Sequence, residues 1–179
     1  EVLNIYKSLN DINFNIKSDN SPLTNADTLS HKILIEFLSK TNIPIISEES
    51  ENILLDDKND FVWIIDPLDG TKDFIQKTDE FSIMVSLLEK GKPVFGIVYL
   101  PVFDRFYYGI KGKGSFMIDQ DAYPKPLVVS AVFNLKHFRM IRSRNHFQEK
   151  DKIIADSLKI KSFEKMGRVG VKFGAIDQG

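Results

Sequence analysis

The sequence predicts an α/β (α+β) fold on three observations: one stretch with the apolar period of a helix, several short Val-, Ile- and Phe-rich runs of strand length, and Gly- or Pro-bearing turns between them. Residues Asn25 to Lys40 read as an amphipathic helix, with Ala26, Leu29, Ile33, Leu34, Phe37 and Leu38 on one face and Thr24 as its cap. Asp27 then falls in the first turn, where a carboxylate suits the helix dipole. Pro44-Ile45-Ile46-Ser47 reads as a short apolar strand, and Trp63-Ile64-Ile65 as the end of another. Phe81 to Leu88 and Pro93 to Leu100 form a hairpin around Glu89-Lys90-Gly91-Lys92, followed by a strand near Arg105 to Gly109. Gly112 and Gly114 mark a turn before a strand at Ser115 to Ile118. The proline-bearing connection Tyr123-Pro124-Lys125-Pro126 suggests a boundary, dividing the chain into 1–122 and 123–179. Beyond it, a strand at Arg139 to Ser143, a helix around Phe147 to Leu158 and a further short strand fit the start of a second α/β unit.

The richest segment for function is Trp63-Ile64-Ile65-Asp66-Pro67-Leu68-Asp69-Gly70-Thr71, which ends an apolar strand in two carboxylates, a proline and a glycine. Asp66 precedes proline and is steered away from helical angles, and Pro67 fixes its own φ, so a defined turn is expected after Asp66. Asp69 can swing back toward Asp66 there. Carboxylate and carbonyl oxygens suit Mg²⁺, which is commonly held by one or two carboxylates together with substrate phosphate. Gly70 admits a phosphate close to the backbone, and Thr71 supplies a hydroxyl where a helix is expected to begin, at Lys72. Asp-Pro and Asp-Gly also punctuate ordinary surface turns. A second acidic element, Glu48-Glu49-Ser50, follows directly on the Pro44–Ser47 strand. Ligands of open α/β sheets bind beyond the strand carboxyl ends, so two neighbouring strands would bring Glu48, Asp66 and Asp69 together. Three such carboxylates repel one another, and a divalent cation resolves the conflict.

These residues resemble the lithium-sensitive, Mg²⁺-dependent phosphatases of the inositol monophosphatase superfamily. Ser47-Glu48-Glu49-Ser50 is similar to its (G/S)-E-E element, and Trp63 through Thr71 to its W-(I/V)-(I/V)-D-P-(L/I)-D-G-T signature. Within the superfamily, Lys17 through Asp27 and Gly70-Thr71-Lys72-Asp73-Phe74-Ile75 most resemble the 3′(2′),5′-bisphosphate nucleotidase branch; the inositol phosphatases usually continue G-T-(T/A)-N-F. Gly91 through Tyr99 and Gly112-Lys113-Gly114-Ser115-Phe116 fall where the family carries similar runs, so the resemblance spans nearly the whole chain. It implies a layered α-β-α-β-α sugar-phosphatase-like architecture and roughly two or three Mg²⁺ ions. By motif position it implies Glu48, Asp66, the Leu68 carbonyl and Asp69 as metal ligands. Asp27, Glu48 and Thr71 would position the attacking water, with Asp27 holding the Thr71 hydroxyl. The Gly70 and Thr71 amides would hold the scissile phosphate. The implied reaction is removal of the 3′ phosphate from a small phosphorylated nucleotide such as 3′-phosphoadenosine 5′-phosphate, giving AMP. The alternatives are an inositol or sugar monophosphate phosphatase and a catalytically silent nucleotide-binding fragment.

The chain departs from the family pattern in two regions. Members carry a Trp-Asp element whose aspartate joins the metal cluster, whereas Trp63 is the single tryptophan here and belongs to the first motif; the resemblance therefore implies an incomplete C-terminal unit. Gly167-Arg168-Val169-Gly170-Val171-Lys172 lies where the nucleotidases carry a serine-bearing run whose lysine meets the second phosphate, and Lys172 matches without the serines. Ser143-Arg144-Asn145-His146 resembles an S-x-S-H run beside the nucleotide, which makes His146 a substrate-binding candidate. Asp56-Asp57-Lys58-Asn59-Asp60 lacks the glycine and terminal glutamate of a calcium loop and reads as solvated. His31 falls on the polar side of its helix and is given no ligand or base role.

Composition agrees with a globular enzyme. At 179 residues, 42% hydrophobic with 14 phenylalanines, the chain can fill a sizeable core. With 24 basic against 25 acidic residues it carries no global field for polyanions, so neither nucleic-acid nor membrane binding is expected. No cysteine is present, which excludes disulfides, thiolate zinc sites and a cysteine nucleophile and suits a reducing compartment; a cytoplasmic location is the expectation.

Overall fold

The computed structural model describes residues 1–8, 14–16, 22–50, 59–129, 134, 137–144, 148–167, 170 and 172. Lys17–Ser21 of the first motif, Asp56–Lys58 of the acidic loop, Asn145 and His146 lie outside these described residues. Helix α1 (Val2–Lys7) is followed by the antiparallel pair β1 (Phe14–Ile16) and β2 (Pro22–Thr24), and β2 runs directly into α2 (Asn25–Leu38). Thr24 closes that junction: its hydroxyl oxygen accepts from the amides of Ala26 and Asp27, and the Asp27 carboxylate accepts the Thr24 amide at 2.8 Å. This reciprocal capping box explains why the helix starts where the sequence predicts it.

The buried stripe of α2 is Ala26, Asp27, Ser30 and Leu38, more polar than expected. Ile33 and Phe37, expected on the inner face, are 41% and 68% exposed. The reason is rotational: burying Asp27 at the functional end turns the i+4 line through Ala26, Ser30 and Leu38 inward and carries Ile33 and Phe37 to the flank.

The main sheet has seven strands in the order β3 (Ile45–Ser47), β4 (Phe61–Asp69), β5 (Ser82–Glu89), β6 (Lys92–Leu100), β7 (Arg105–Ile110), β8 (Gly114–Ile118) and β9 (Lys125–Pro126). β3 pairs with β4 in parallel, and every later neighbour is antiparallel. One local expectation is corrected here. The chain does not leave the strand at Asp66; β4 continues through Pro67 and Leu68 to Asp69. Asp66 faces Met84 and Asp69 faces Ser82, so β4 carries one extra residue across the Asp66–Asp69 step. A bulge suits Pro67, which has no N–H to give to a ladder, and bulges re-aim side chains at sheet margins.

Behind this bulge lies the aromatic core. Val2 and Tyr6 of α1, Ala26 of α2, Leu68 of β4, Phe81 and Phe74 of α3 (Thr71–Ile75) form one buried cluster. The rings of Tyr6, Phe74 and Phe81 meet pairwise at centroid distances of 5.1, 4.7 and 4.9 Å. Such tilted contacts favour the ring quadrupoles and add to area burial. Leu68 links that core to the bulge.

A separate two-stranded parallel sheet joins β10 (Arg139–Ser143) to β11 (Ser162–Met166), with α4 (Glu149–Ser157) between them in sequence. It is tied to the main sheet through Glu80, whose carboxylate meets the Arg144 guanidinium and the Gly167 amide; Arg144 also lies 3.8 Å from Asp73. No helix among the described residues is long and apolar enough to cross a membrane.

Candidate functional site

Parallel pairing of β3 with β4 sets Ser47 opposite Ile65, and the Glu48 amide donates to the Ile65 carbonyl at 3.3 Å. The next residue on each strand is therefore an acid, Glu48 beside Asp66. The Asp66 carboxyl is pushed up to about 7 by burial first, then by the negative charges of Glu48 and Asp69, and by a hydrogen bond shared with Glu48. The Leu68 amide, 3.1 Å from Asp66 Oδ1, works in the opposite direction.

Across the bulge, Asp27 and Thr71 meet. Asp27 is 1% exposed, and its two oxygens divide their tasks. Oδ2 accepts from the Thr24 amide and hydroxyl, while Oδ1 accepts the Thr71 hydroxyl at 3.0 Å. The Leu68 carbonyl lies 3.3 Å from the same hydroxyl. A hydroxyl has one proton to donate, and the nearer Asp27 oxygen accepts that hydrogen bond, which leaves the Thr71 lone pairs available to accept. Thr71 itself opens α3, one residue earlier than the expected start at Lys72, because Gly70 adopts φ +102° and turns the chain out of β4. That conformation favours glycine.

Asp69 follows a different course. Its Oδ2 receives the Ser82 hydroxyl and the Gly170 amide, each at 3.2 Å. The Gly167–Lys172 run, singled out in the sequence for its lysine, thus reaches the acidic turn through its backbone. Lys172 is half-buried and, like Gly170, helical. The carboxylates meet pairwise and not as a closed cage: among the described residues, no three His, Cys, Asp or Glu side chains form a ready metal-ligand group.

Sequence reasoning passed over three contributors. Ser82 and Gly170 orient Asp69; Ser82 lies in no motif, and Gly170 lies in a run singled out for Lys172 alone. His31, assigned to the polar side of α2, is partly buried, and its Nδ1 lies 2.8 Å from the Ser47 hydroxyl. Its spacing of four residues from Asp27 was the available signal, since i and i+4 share a helix face.

The sequence profile of the inositol monophosphatase family matches residues 1–175. The chain belongs to that family. It is 31% identical over 172 residues to the 3′(2′),5′-bisphosphate nucleotidase CysQ of Haemophilus influenzae, covering 94% of this chain and 64% of that protein. It is 34% identical over 181 residues to the CysQ of Buchnera aphidicola, covering 99% and 66% respectively. The chain therefore spans just under two thirds of the length of these relatives. Among solved structures, CysQ from Bacteroides thetaiotaomicron superposes with a TM-score of 0.77 at 28% identity, over 99% of this chain and 71% of that one. An IMPase/NADP phosphatase crystallised with Mg²⁺ and phosphate shares the fold, with a TM-score of 0.75 at 19% identity over 95% of this chain and 64% of that one.

Proposed function

We propose that this inositol monophosphatase family member forms the catalytic site of a Mg²⁺-dependent phosphomonoesterase that removes the 3′ phosphate of 3′-phosphoadenosine 5′-phosphate, yielding AMP and phosphate. The observation that carries the reading is the Asp27–Thr71 hydrogen bond, in a site where Asp66 holds its proton more tightly through burial first and then through its acidic neighbours. Thr71, with its proton committed to Asp27, accepts a hydrogen bond from the attacking water, and Glu48 accepts the second. Orientation of this kind suits phosphoryl transfer, where positioning and charge stabilisation supply most of the rate. The Gly70 and Thr71 amides are assigned to the scissile phosphate, Lys172 to the nucleotide's second phosphate, and His146 to the substrate surface beside the nucleotide.

The donor set fits a hard divalent cation. Every candidate atom on Glu48, Asp66, Leu68 and Asp69 is an oxygen, and the repulsion from Glu48 and Asp69 that adds to burial in raising Asp66 is what a cation relieves. When bound, Mg²⁺ supplies Lewis acidity for a water and offsets charge on the phosphoryl oxygens. The nucleotide, in preference to an inositol phosphate, is supported by relatives named as bisphosphate nucleotidases at 31% and 34% identity.

The test is phosphate release from 3′-phosphoadenosine 5′-phosphate in the presence of Mg²⁺. Asp69→Ala is expected to lower turnover at least about a hundred-fold, the scale seen when a group stabilising transition-state charge is removed. Unchanged turnover in that variant overturns the metal assignment, and a higher kcat/KM for inositol monophosphate overturns the substrate.

A further inference from the structure

Two turns of chain flank the reaction centre, and both are fastened to the same helix. On the β4 side, Asp27 of α2 holds Thr71 at 3.0 Å. On the β3 side, His31 of α2, four residues later, meets the Ser47 hydroxyl at 2.8 Å. Ser47 is 5% exposed and lies immediately before Glu48. Its hydroxyl oxygen accepts the Glu49 amide at 3.3 Å, and its carbonyl accepts the Ser50 amide at 3.1 Å. Ser47 thus sets the turn from which the Glu48 carboxylate leaves β3, and His31 is the side chain from another element that the structure shows holding that hydroxyl.

We infer that His31 is a positioning residue: through Ser47 it fixes the Glu48 turn at a set distance from Thr71, so that one turn of α2 determines the spacing of the two sides of the site. This rests on the proposed metal and water roles of Glu48 and Thr71. The geometry assigns the task to Nδ1 alone, since Nδ1 is the atom facing Ser47. A positional role through a fixed hydrogen bond differs from packing, because it depends on where a polar atom sits and not on the volume of the ring.

The test is a titration of the whole chain with Mn²⁺ alone, read by electron paramagnetic resonance, with a thermal melt of each variant. His31→Leu is expected to weaken Mn²⁺ binding about ten-fold or more, the usual cost of losing a group that orients a ligand. His31→Asn, whose side-chain amide places a polar atom near the position of Nδ1, is expected to bind within about three-fold of wild type, whereas His31→Gln, which imitates Nε2, is not rescued. Ser47→Ala, which also removes the acceptor of the Glu49 amide, is expected to lose at least as much as His31→Leu, and the double variant no more than Ser47→Ala alone, because the His31 contact is already broken there. Wild-type Mn²⁺ affinity in His31→Leu, equal losses in His31→Asn and His31→Leu, or additive losses in the double variant overturn the inference. If His31→Leu does not fold, Ser47→Ala and His31→Asn carry the same comparison. A wild-type chain that binds no Mn²⁺ removes the metal reading itself, a result separate from any of these.

Discussion

At the scale of single residues, charge and proton placement decide behaviour. The Tyr6 hydroxyl donates to Asp79 Oδ1 at 2.7 Å and accepts the Asp79 amide at 2.9 Å. Burial first, then that carboxylate, pushes its phenol up to about 12 from 10.0. The folded state therefore holds this proton more tightly than the unfolded one, so the contribution to stability is complete below pH 10 and is lost as pH rises toward 12. Tyr6→Phe is expected to cost about 2 kcal/mol at pH 8, the scale of a hydrogen bond to a charged group. The gap between wild type and variant should narrow in urea melts at pH 11.5. The site residues differ in how far the sequence disclosed them. Asp27 and Thr71 were assigned to each other through motif position, and the structure shows them 3.0 Å apart. His31 could not be assigned from spacing alone, because its partner sits sixteen positions away on a strand whose placement beside α2 follows from tertiary packing. The link from Asp69 to Gly170 spans 101 positions, beyond any local pattern.

At the scale of elements, the short helix α3 is held at both ends. Thr71 at its start is bonded to Asp27, and Phe74, fully buried, packs on Tyr6 and Phe81. Five residues do not sustain a helix on propensity alone, so α3 depends on that ring. Phe74→Ala is expected to destabilise the protein by about 3–5 kcal/mol in urea unfolding. It should lower phosphate release by more than the unfolded fraction explains, since the cavity loosens the segment that carries Thr71. The extents of α2, β5, β6 and β7 were legible because each is a sustained apolar stretch bounded by a cap or a turn, whereas the face that α2 buries was not. The continuation of β4 through Asp66-Pro67 was not, because proline ordinarily ends a ladder and only the register against Met84 and Ser82 shows the bulge that accommodates it.

At the scale of the whole molecule, Glu80 is one of the carboxylates that tie the β10–β11 pair to the main sheet, beside Asp73 and Asp69. Glu80 receives both the Arg144 guanidinium and the Gly167 amide, each from the segments that bound the β10–β11 pair. A partly buried charge pair is costly to break on one side only. Glu80→Gln is therefore expected to raise amide exchange about ten-fold in residues 139–144 and 162–166, a loss near the net value of a charge-assisted hydrogen bond. Protection in β4 to β6 should be unchanged; equal loosening throughout would show that the two sheets share one cooperative unit. Because Gly170 then reaches Asp69 from the same segment, a loosened β10–β11 pair should also change the acidic turn.

The rims of the seven-stranded sheet have a consequence for how copies of this chain meet. On one side the outermost ribbon is three residues long and is preceded by Pro44; on the other it is two residues long and contains Pro126, which has no amide hydrogen to offer. A passing extended peptide finds too few open backbone groups at either border to lengthen this array, so rim-to-rim annealing has a poor template at the margins of the seven-stranded sheet.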